Sequence, residues 1–285
     1  MTRRSSETPP FPQPIAHPAG ALGEGSLPPT PMSSYTSLEA ALHDAFWAAE
    51  GEPAELPLLD DFLRAYPGPA IEVGCGSGRL LLPLLAAGHP IEGLDSSPDM
   101  LRRCRESAAM LGLSPTLHLA DMTGFRPPTG YQAVAVPAFA LQLAGDPAAL
   151  ISRFATWLAP GGGLFLTTFR PDAELAGELP EDEWFDDHHI TLDDGSTATL
   201  VTRHTIDRVR RLLDRRHRYL LHDTAGRETG RHESRQLLRW FEPGELESLV
   251  ARSGFRITRR IAELDPAATP ADAQILTLHA QLSRV

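Results

Sequence analysis

Residues 72–78 of the chain read EVGCGSG, with Gly74, Gly76 and Gly78 placed directly after the apolar run that ends at Val73. A strand that ends in Gly-x-Gly-x-Gly and opens into a helix lets the chain turn sharply and lets a ligand touch the main chain. The stretch therefore predicts the first strand-to-helix turn of a ligand-binding α/β fold.

Outward from this turn, short apolar runs alternate with helical patterns. The runs that read as strands are AIEVG (70–74), IEGLD (91–95), TLHLADM (116–122), AVAVP (133–137) and GLFLTTF (163–169). Helical patterns follow the first two strands and also fill 146–162. Strands that alternate with helices at this spacing call for a doubly wound, mostly parallel sheet with right-handed crossovers.

The alternation breaks at about 186–240, where three strand-like runs, 197–207, 210–223 and 233–241, are separated by turn sequences such as DDG and TAG. This pattern predicts an antiparallel β insertion. A helix at 242–254 and two terminal strand-like runs then complete the main sheet.

The N-terminal region is predicted as two parts. Residues 1–34 are rich in proline and have almost no apolar periodicity, so we expect a mobile tail. Helical stripes at 37–49 and 56–65 follow, and we expect them to form a helical lid (about 36–66) on a single domain that spans 35–285.

Length and composition favour an ordinary soluble protein. The chain has 285 residues, of which 42% are hydrophobic and 22% charged. We expect no membrane span, because no apolar stretch approaches the roughly 20 residues that one needs. No apolar segment follows the first arginines, so we expect cytoplasmic residence. The formal net charge of -11 disfavours DNA and RNA as partners and favours a small molecule.

Two residue types further restrict the chemistry. All 26 basic residues are arginine, which excludes a phosphate-binding P-loop lysine and a lysine Schiff base. The two cysteines, Cys75 and Cys104, are too few for a disulfide framework or a zinc site.

Three further features accompany the glycines. Asp95 ends the second strand, where a carboxylate can accept hydrogen bonds from both hydroxyls of a ribose, and Asp121 ends the third. The turn LAPGGG leads into the fifth strand. In this order the elements resemble the class I S-adenosylmethionine-dependent methyltransferases from about residue 35 to the C-terminus. FEPGELESLVARSGF also resembles the late helix of the superfamily's small-molecule enzymes.

The resemblance implies a Rossmann-like, doubly wound, mostly parallel seven-stranded sheet with helices on both faces and the antiparallel insertion. It also implies S-adenosyl-L-methionine as the cofactor and a methyl transfer to a small-molecule acceptor at N, O or C. The cofactor-binding residues that it implies are Tyr35, Glu72, Gly74, Cys75, Gly76, Gly78, Arg79, Asp95, Ser96, Met100, Asp121, Met122, Pro137, Ala138 and Phe139.

The catalytic side chains are less defined, since methyl transfer from a sulfonium mainly needs alignment and the exclusion of water. A hydroxyl acceptor usually needs a base, for which His188, His189, His217 and His222 in the insertion are candidates. The run DDHH at 186–189 contains residue types that bind metals. Adjacent residues on a strand point to opposite sides, however, so we expect no metal site.

Several alternatives stay open. The same cofactor site could support another reaction, such as cyclisation of the aminobutyrate chain, or simple binding without catalysis. A nicotinamide-dependent oxidoreductase fits less well, because its usual glycine spacing differs. The basic run 208–218 could grip an acidic acceptor or form a solvated strand face. We expect a monomer or homodimer.

Overall fold

A computed structural model describes residues 34–49, 51–128, 130–242, 244–269 and 273–283. The predicted mobile tail therefore lies outside the described residues, apart from Ser34. The strands are β1 (Ala70–Val73), β2 (Ile91–Asp95), β3 (Leu117–Leu119), β4 (Tyr131–Val136), β5 (Leu158–Phe169), β6 (Phe185–Thr191), β7 (Thr197–Asp207), β8 (Leu212–His222), β9 (Glu228–Arg239), β10 (Phe255–Ala262) and β11 (Ile275–Leu282). The helices are α1 (Ser37–Ala48), α2 (Glu55–Ala65), α3 (Leu81–Ala86), α4 (Pro98–Met110), α5 (Pro147–Trp157), α6 (Asp172–Ala176) and α7 (Glu245–Arg252), with a 3₁₀ helix at Ala140–Leu143.

The larger sheet has seven strands in the order β10-β11-β5-β4-β1-β2-β3. The five strands from β3 to β5 pair in parallel, whereas β11 pairs antiparallel with both β5 and β10. The strand order reverses beside β1, which pairs with β2 on one side and β4 on the other. Ligands bind at this kind of switch point, at the carboxyl ends of the strands. The predicted fold class is confirmed.

Two apolar cores lie on opposite faces of this sheet. One contains Trp157 of α5 and Val250 of α7, and the other contains Phe62 of α2, Leu81 of α3 and Leu101 of α4. All four residues of β1 are buried. A central strand that is covered on both faces is mostly apolar in sequence, here with Glu72 as the exception, which explains why the sequence revealed it.

The helices α4 and α5 begin with the same local signal. Ser97 and Asp146 accept hydrogen bonds from the main-chain N–H groups of Met100 and Ala149, and a proline opens each helix. These are favourable N-cap and first-turn residues, since they satisfy donors that a helix start leaves free.

We expect Asp146→Ala to lower the free energy of unfolding by about 1 kcal/mol, because the N–H of Ala149 loses its 3.0 Å bond to Asp146 Oδ1. Urea denaturation at several temperatures measures the change. Asp193→Ala, which alters an exposed turn between β6 and β7, is the control. Equal stability of both variants would contradict the capping role.

The smaller sheet is antiparallel, in the order β6-β7-β8-β9. The predicted insertion contained three strand-like runs, and the structure adds a fourth strand, β6, over the segment that contains DDHH. Its register with β7 shifts between Asp186 and His188, and this irregularity disguises the period-two pattern that marks a strand.

The fifth strand also begins earlier than predicted. Leu158 already pairs with Tyr131, but the register then shifts, so that Gly163 faces Ala133. The intervening turn residues were read as the end of the preceding helix, because an interrupted strand has no regular apolar alternation.

A buried glutamine joins the two sheets. The Gln142 amide nitrogen donates to the carbonyls of Phe169 and Arg239, each at 3.0 Å, and its oxygen accepts from Phe169 N at 2.8 Å. Phe169 ends β5 and Arg239 ends β9. Gln142 is fully buried. Because its amide makes these three hydrogen bonds, it holds the smaller sheet against the carboxyl edge of the larger one.

Candidate functional site

A cavity of about 660 Å³ opens at the carboxyl edge of β1, β2, β3 and β4. Its floor comes from the loops after these strands, and its roof comes from α1 with the segment before it and from β9. The volume lies in the range of small-molecule and cofactor sites. Of the residues predicted for the cofactor, those that line the cavity are Tyr35, Glu72, Gly74, Cys75, Gly76, Arg79, Asp95, Ser96, Met100, Asp121, Met122 and Ala138.

The glycine loop needs its glycines for two different reasons. Gly74, Gly76 and Gly78 all have positive φ, at 77°, 53° and 90°, which other residues rarely adopt. Gly74 and Gly76 line the cavity. An added Cβ would lie 2.8 Å from Cys104 Sγ of α4 at Gly78, and 2.9 Å from Ala140 Cβ at Gly74. Packing therefore excludes a side chain at Gly74 and Gly78, while Gly74 and Gly76 also face the cavity.

Asp95 ties the glycine loop to the start of α4. Its Oδ2 accepts from Gly76 N and its Oδ1 accepts from Ser97 N, both at 2.8 Å. Burial raises the pKa of Asp95, although both main-chain bonds oppose that rise. Each carboxylate oxygen has a second lone pair, so Asp95 can also accept hydrogen bonds from a ligand diol in the cavity.

Glu72 brings a buried carboxylate to the cavity. Its Oε2 has no hydrogen-bond partner in the described chain. Burial, and next the nearby Glu55 carboxylate, raise its pKa well above the ordinary value, while Arg79 acts in the opposite direction. A buried acceptor without a donor is costly. A ligand that carries a cationic ammonium group would supply that donor, and the aminobutyrate end of S-adenosylmethionine does so.

The third and fourth strands end in two tight turns. Asp121 Oδ1 accepts from Thr123 N at 2.7 Å and also from the Thr123 hydroxyl, so this carboxylate shapes the turn after β3. After β4, Ala138 and Phe139 have φ of 48° and 64°. Non-glycine residues that adopt positive φ are strained, and such strain persists where surrounding structure imposes it.

Glu55 of α2 helps to impose this conformation. The Ala138 N–H points to its carboxylate, at 3.1 Å from Oε1 and 3.3 Å from Oε2. Ala138 lines the cavity, whereas Pro137 and Phe139 are not among its lining residues. The Phe139 ring instead packs edge-on against Phe169, with centroids 4.8 Å apart.

The roof contains residues that the sequence did not single out for a site. His43 and Trp47 come from α1, and Arg235, Gln236 and Leu237 come from β9. The Arg79 guanidinium lies 4.3 Å from the centre of the Trp47 ring, an attractive cation–π geometry. The adjacent aromatic residues Phe46 and Trp47 of α1 were a weak signal for this roof. Nothing in the local pattern of β9 marks Gln236.

Two carboxylates of α1, the half-buried Asp44 and the buried Glu39, hold the roof in place. Asp44 accepts from the Ser77 hydroxyl in the glycine loop and from Arg103 of α4 at 3.0 Å. Burial disfavours the Asp44 carboxylate, but bonds from His43, Ser77 and Arg103 outweigh it and lower the pKa. Glu39 accepts from Tyr219 Oη of β8 at 3.2 Å. Helix α1 therefore links the glycine loop and α4 to the smaller sheet.

The four histidines proposed as bases lie in the smaller sheet, and the described cavity lining contains none of them. His189 is exposed, with Nδ1 2.9 Å from Thr199 Oγ1. His188 and His222 are half-buried. His217 is buried, and its Nδ1 lies 3.0 Å from Thr202 Oγ1. A general base among them stays a prediction.

The basic run 208–218 is largely paired with carboxylates. Arg218 Nε lies 2.7 Å from Glu233 Oε1, Arg211 pairs with Glu245, and Arg215 pairs with the buried Glu174. Across the described residues, no cluster of His, Cys, Asp or Glu is arranged to hold a metal ion. No helix in the described part of the chain is long and apolar enough to cross a bilayer.

Comparisons with known proteins agree with this geometry. Residues 70–162 match the family described as "Methyltransferase domain". The chain is 30% identical over 161 residues to ribosomal RNA small subunit methyltransferase C of Alcanivorax borkumensis, covering 54% of this chain and 47% of that protein. It is 28% identical over 139 residues to a ubiquinone biosynthesis O-methyltransferase of Xanthomonas campestris pv. campestris, covering 45% and 58%. The chain thus spans about half the length of these curated relatives.

Among solved structures, the chain is similar to the adenosylmethionine-bound CalS10 of Micromonospora echinaspora, an amino pentose methyltransferase. The TM-score is 0.64 at 23% identity, covering 85% of this chain and 97% of that one. The fold and cavity define the class I S-adenosylmethionine-dependent methyltransferase architecture. Residues 70–162 match the methyltransferase-domain family, and the predicted resemblance to the class I superfamily is confirmed.

Proposed function

We propose that the protein is an S-adenosyl-L-methionine-dependent methyltransferase that acts on a small molecule. The observation that carries this proposal is the cavity at the switch point beside β1, which is lined by Asp95, the glycine loop and Glu72, a buried residue whose Oε2 has no hydrogen-bond partner among the described residues. These groups match a ligand with a diol and an ammonium group.

Each part of the cofactor has a complementary residue. Asp95 would accept from the two ribose hydroxyls, and Glu72 would accept from the ammonium group. Asp121 would meet the adenine amino group, with Met100 and Met122 beside the ring. The bound cofactor supplies a methyl group on a positively charged sulfur. The chain's part is to orient this group toward an acceptor and to exclude water.

The methyl transfer needs no reactant besides the cofactor and the acceptor. A lone pair of the acceptor atom forms the new bond to the methyl carbon as the carbon–sulfur bond breaks, and that electron pair stays on the sulfur. An acceptor that carried a hydrogen on the reacting atom releases a proton to solvent. The products are the methylated acceptor and S-adenosylhomocysteine.

Charge favours a small acceptor over a nucleic acid, although one relative carries a ribosomal RNA methyltransferase name. The net charge is -11, and the basic run pairs largely with acidic side chains. A phosphate backbone would therefore meet a repulsive surface. Names of other relatives, which include ubiquinone and amino pentose methyltransferases, also support a small acceptor. We further propose that the protein acts in the cytoplasm as a monomer or homodimer.

We expect S-adenosylhomocysteine to raise the melting temperature, because a ligand that binds only the folded state stabilises it by about 2.7 kcal/mol at 100 times its Kd. Thermal unfolding with and without ligand measures the shift, and NAD is the control. A shift with NAD and none with S-adenosylhomocysteine would refute the assignment. Turnover with labelled S-adenosylmethionine then separates methyl transfer, which yields S-adenosylhomocysteine, from cyclisation, which yields methylthioadenosine.

A further inference from the structure

The outer edge of the smaller sheet borders the cavity. β9 is an edge strand, because among the described strands it pairs with β8 alone. Three consecutive residues of β9, Arg235, Gln236 and Leu237, line the cavity. Side chains along a strand alternate between the two faces of a sheet, so neighbouring residues can line one space together only from the edge of the strand. The unpaired edge of β9 therefore faces the cavity.

Two hydrogen bonds fix the orientation of the main chain at the end of β9. The Trp240 N–H donates to the Arg211 carbonyl, on the side of β8. The Arg239 carbonyl instead accepts from the Gln142 amide nitrogen at 3.0 Å. In an antiparallel pair, successive residues alternate between hydrogen-bonded and non-hydrogen-bonded positions. Arg239 therefore occupies a position whose N–H and C=O groups point away from β8, to the free edge.

The same alternation places two further residues on this edge. The register of β9 with β8 runs without a shift from Arg239 back to Gly230. Leu237 and Arg235, which lie two and four residues before Arg239, therefore also direct their N–H and C=O groups away from β8. Among the described residues, none forms a hydrogen bond with these main-chain groups. Each of the two residues offers the cavity one donor and one acceptor, and the two pairs are about 7 Å apart.

An amide already binds the next position of this edge. The Gln142 side-chain amide donates to the Arg239 carbonyl and also exchanges hydrogen bonds with the Phe169 main chain. It therefore contacts the edge of β9 as a short piece of peptide main chain would. Leu143, the residue after Gln142, lines the cavity. The free position at Leu237 thus begins where the Gln142 contact ends.

The side chains at this edge add an apolar contact but no unpaired charge. Leu237 is 48% exposed, and of the prominently exposed large apolar side chains in the described residues it alone lines the cavity. The Arg235 guanidinium forms two bonds to the Asp214 carboxylate, at 2.8 and 2.6 Å. An anionic acceptor would have to compete with that carboxylate. A neutral amide with an apolar substituent meets only main-chain groups and leucine.

We propose that the free edge of β9 at Arg235 and Leu237 is the acceptor-binding site, and that the acceptor carries a secondary amide in an extended segment. This segment pairs with the edge as a short added strand, a mode of recognition that takes its affinity from main-chain hydrogen bonds. The reacting N–H or O–H group then projects from the amide into the cavity, toward the cofactor. This inference rests on the proposed methyl transfer and specifies its substrate class.

Amide hydrogen exchange in the full protein, followed by NMR, tests whether the edge is open. Without an acceptor, we expect the Leu237 and Arg235 amides to exchange at least about 100-fold faster than those of Gln236 and Leu238, which bond to β8. A slowly exchanging Leu237 amide in the free protein would reveal a closed edge and overturn the proposal. Slowing that increased with protein concentration would reveal pairing with a second copy and would also overturn it.

Labelled S-adenosylmethionine and a small-molecule extract of the source organism test the substrate class. We expect mass spectrometry to find a secondary amide in the main labelled product, and a main product without an amide would overturn the proposal. The exchange measurement is then repeated with S-adenosylhomocysteine and the extract fraction that yields this product. The Leu237 amide should exchange at least about tenfold more slowly, and an unchanged rate would contradict pairing with the edge.

The variant Leu237→Pro removes the N–H from the edge. Proline is tolerated on an edge strand where the lost N–H pointed away from the sheet. We expect methyl incorporation from the extract to fall about tenfold, as for the loss of one hydrogen bond, while the Kd of S-adenosylhomocysteine changes less than about twofold. Arg231→Pro is the matched control, because Arg231 has the same orientation on β9 and lies outside the described cavity lining.

The possible results separate this inference from the function on which it depends. Equal incorporation in folded Leu237→Pro and Arg231→Pro would overturn the acceptor site. Should Leu237→Pro fail to fold, which circular dichroism reveals, the exchange of the Leu237 amide in the wild type decides. If the wild type bound S-adenosylhomocysteine but labelled only molecules without an amide, the proposed function would stand and this inference alone would fail. If it bound no S-adenosylhomocysteine, both would fail.

Discussion

Replacing Asp95 with alanine is expected to weaken S-adenosylhomocysteine binding by about 100-fold. Two charge-assisted bonds to the ribose hydroxyls would be lost, each worth about 1.5 kcal/mol or more. The change also removes the acceptor for Gly76 N and Ser97 N, so the glycine loop loses its tie to α4. Both effects act on the cofactor, and isothermal titration calorimetry measures their sum.

Two comparison variants separate affinity from folding. Asp95→Asn keeps one oxygen acceptor and should bind with intermediate affinity. Asp146→Ala lowers stability through a helix cap that lies outside the cavity lining, so its affinity should equal that of the wild type. If Asp95→Ala bound S-adenosylhomocysteine as tightly as the wild type does, the ribose would lie elsewhere and the site would have to be reassigned.

Deletion of residues 1–49, which removes α1, is expected to abolish most turnover. The helix supplies Tyr35, His43 and Trp47 to the cavity from its own residues and those just before it. Its Leu42 packs against Leu200 and Tyr219 in the apolar cluster beneath the smaller sheet. Without α1 the roof would open to water, and water competes with the alignment that methyl transfer needs. Activity with labelled S-adenosylmethionine and the source extract measures the loss.

Deletion of residues 1–32 alone is the matched control, and it should leave turnover intact. The cavity lining, as far as the structure describes it, begins at Ser34. Because the longer deletion could also destabilise the fold, Asp44→Asn serves as a milder test: it weakens the bonds to Ser77 and Arg103 and should reduce turnover less severely. A folded protein that stays fully active without α1 would contradict the proposal that this helix is a lid.

The floor of the site was predictable because its residues follow strand ends. Gly74, Gly76, Asp95 and Asp121 each stand at a fixed offset from an apolar run, and the carboxyl ends of parallel strands meet at one edge. The sequence alone therefore indicates which residues converge there. The buried strand β1 and the capped helices α4 and α5 were visible for the same reason, since their signals lie within a few neighbouring residues.

The roof was not predictable in this way. Gln236 lines the cavity together with Tyr35 only because β8 and β9 pair in one particular register and Gln142 anchors the end of β9. Arg215 and Glu174 likewise pair across elements that no local pattern connects. Gly78 was predicted for the wrong reason. The sequence marked it as ligand-facing, whereas packing against α4 excludes a side chain there.

The amino-acid sequence by itself determined the doubly wound sheet, the glycine loop and the acidic residues of the cavity floor. Those features depend on local periodicity and on short spacings, which a chain carries in its order of residues. Only the tertiary structure decided the roof and the pairing of the arginines. These features depend on strand register and on burial. Burial removes water from polar side chains, so each of them must form a hydrogen bond or ion pair with a residue that is distant in the sequence.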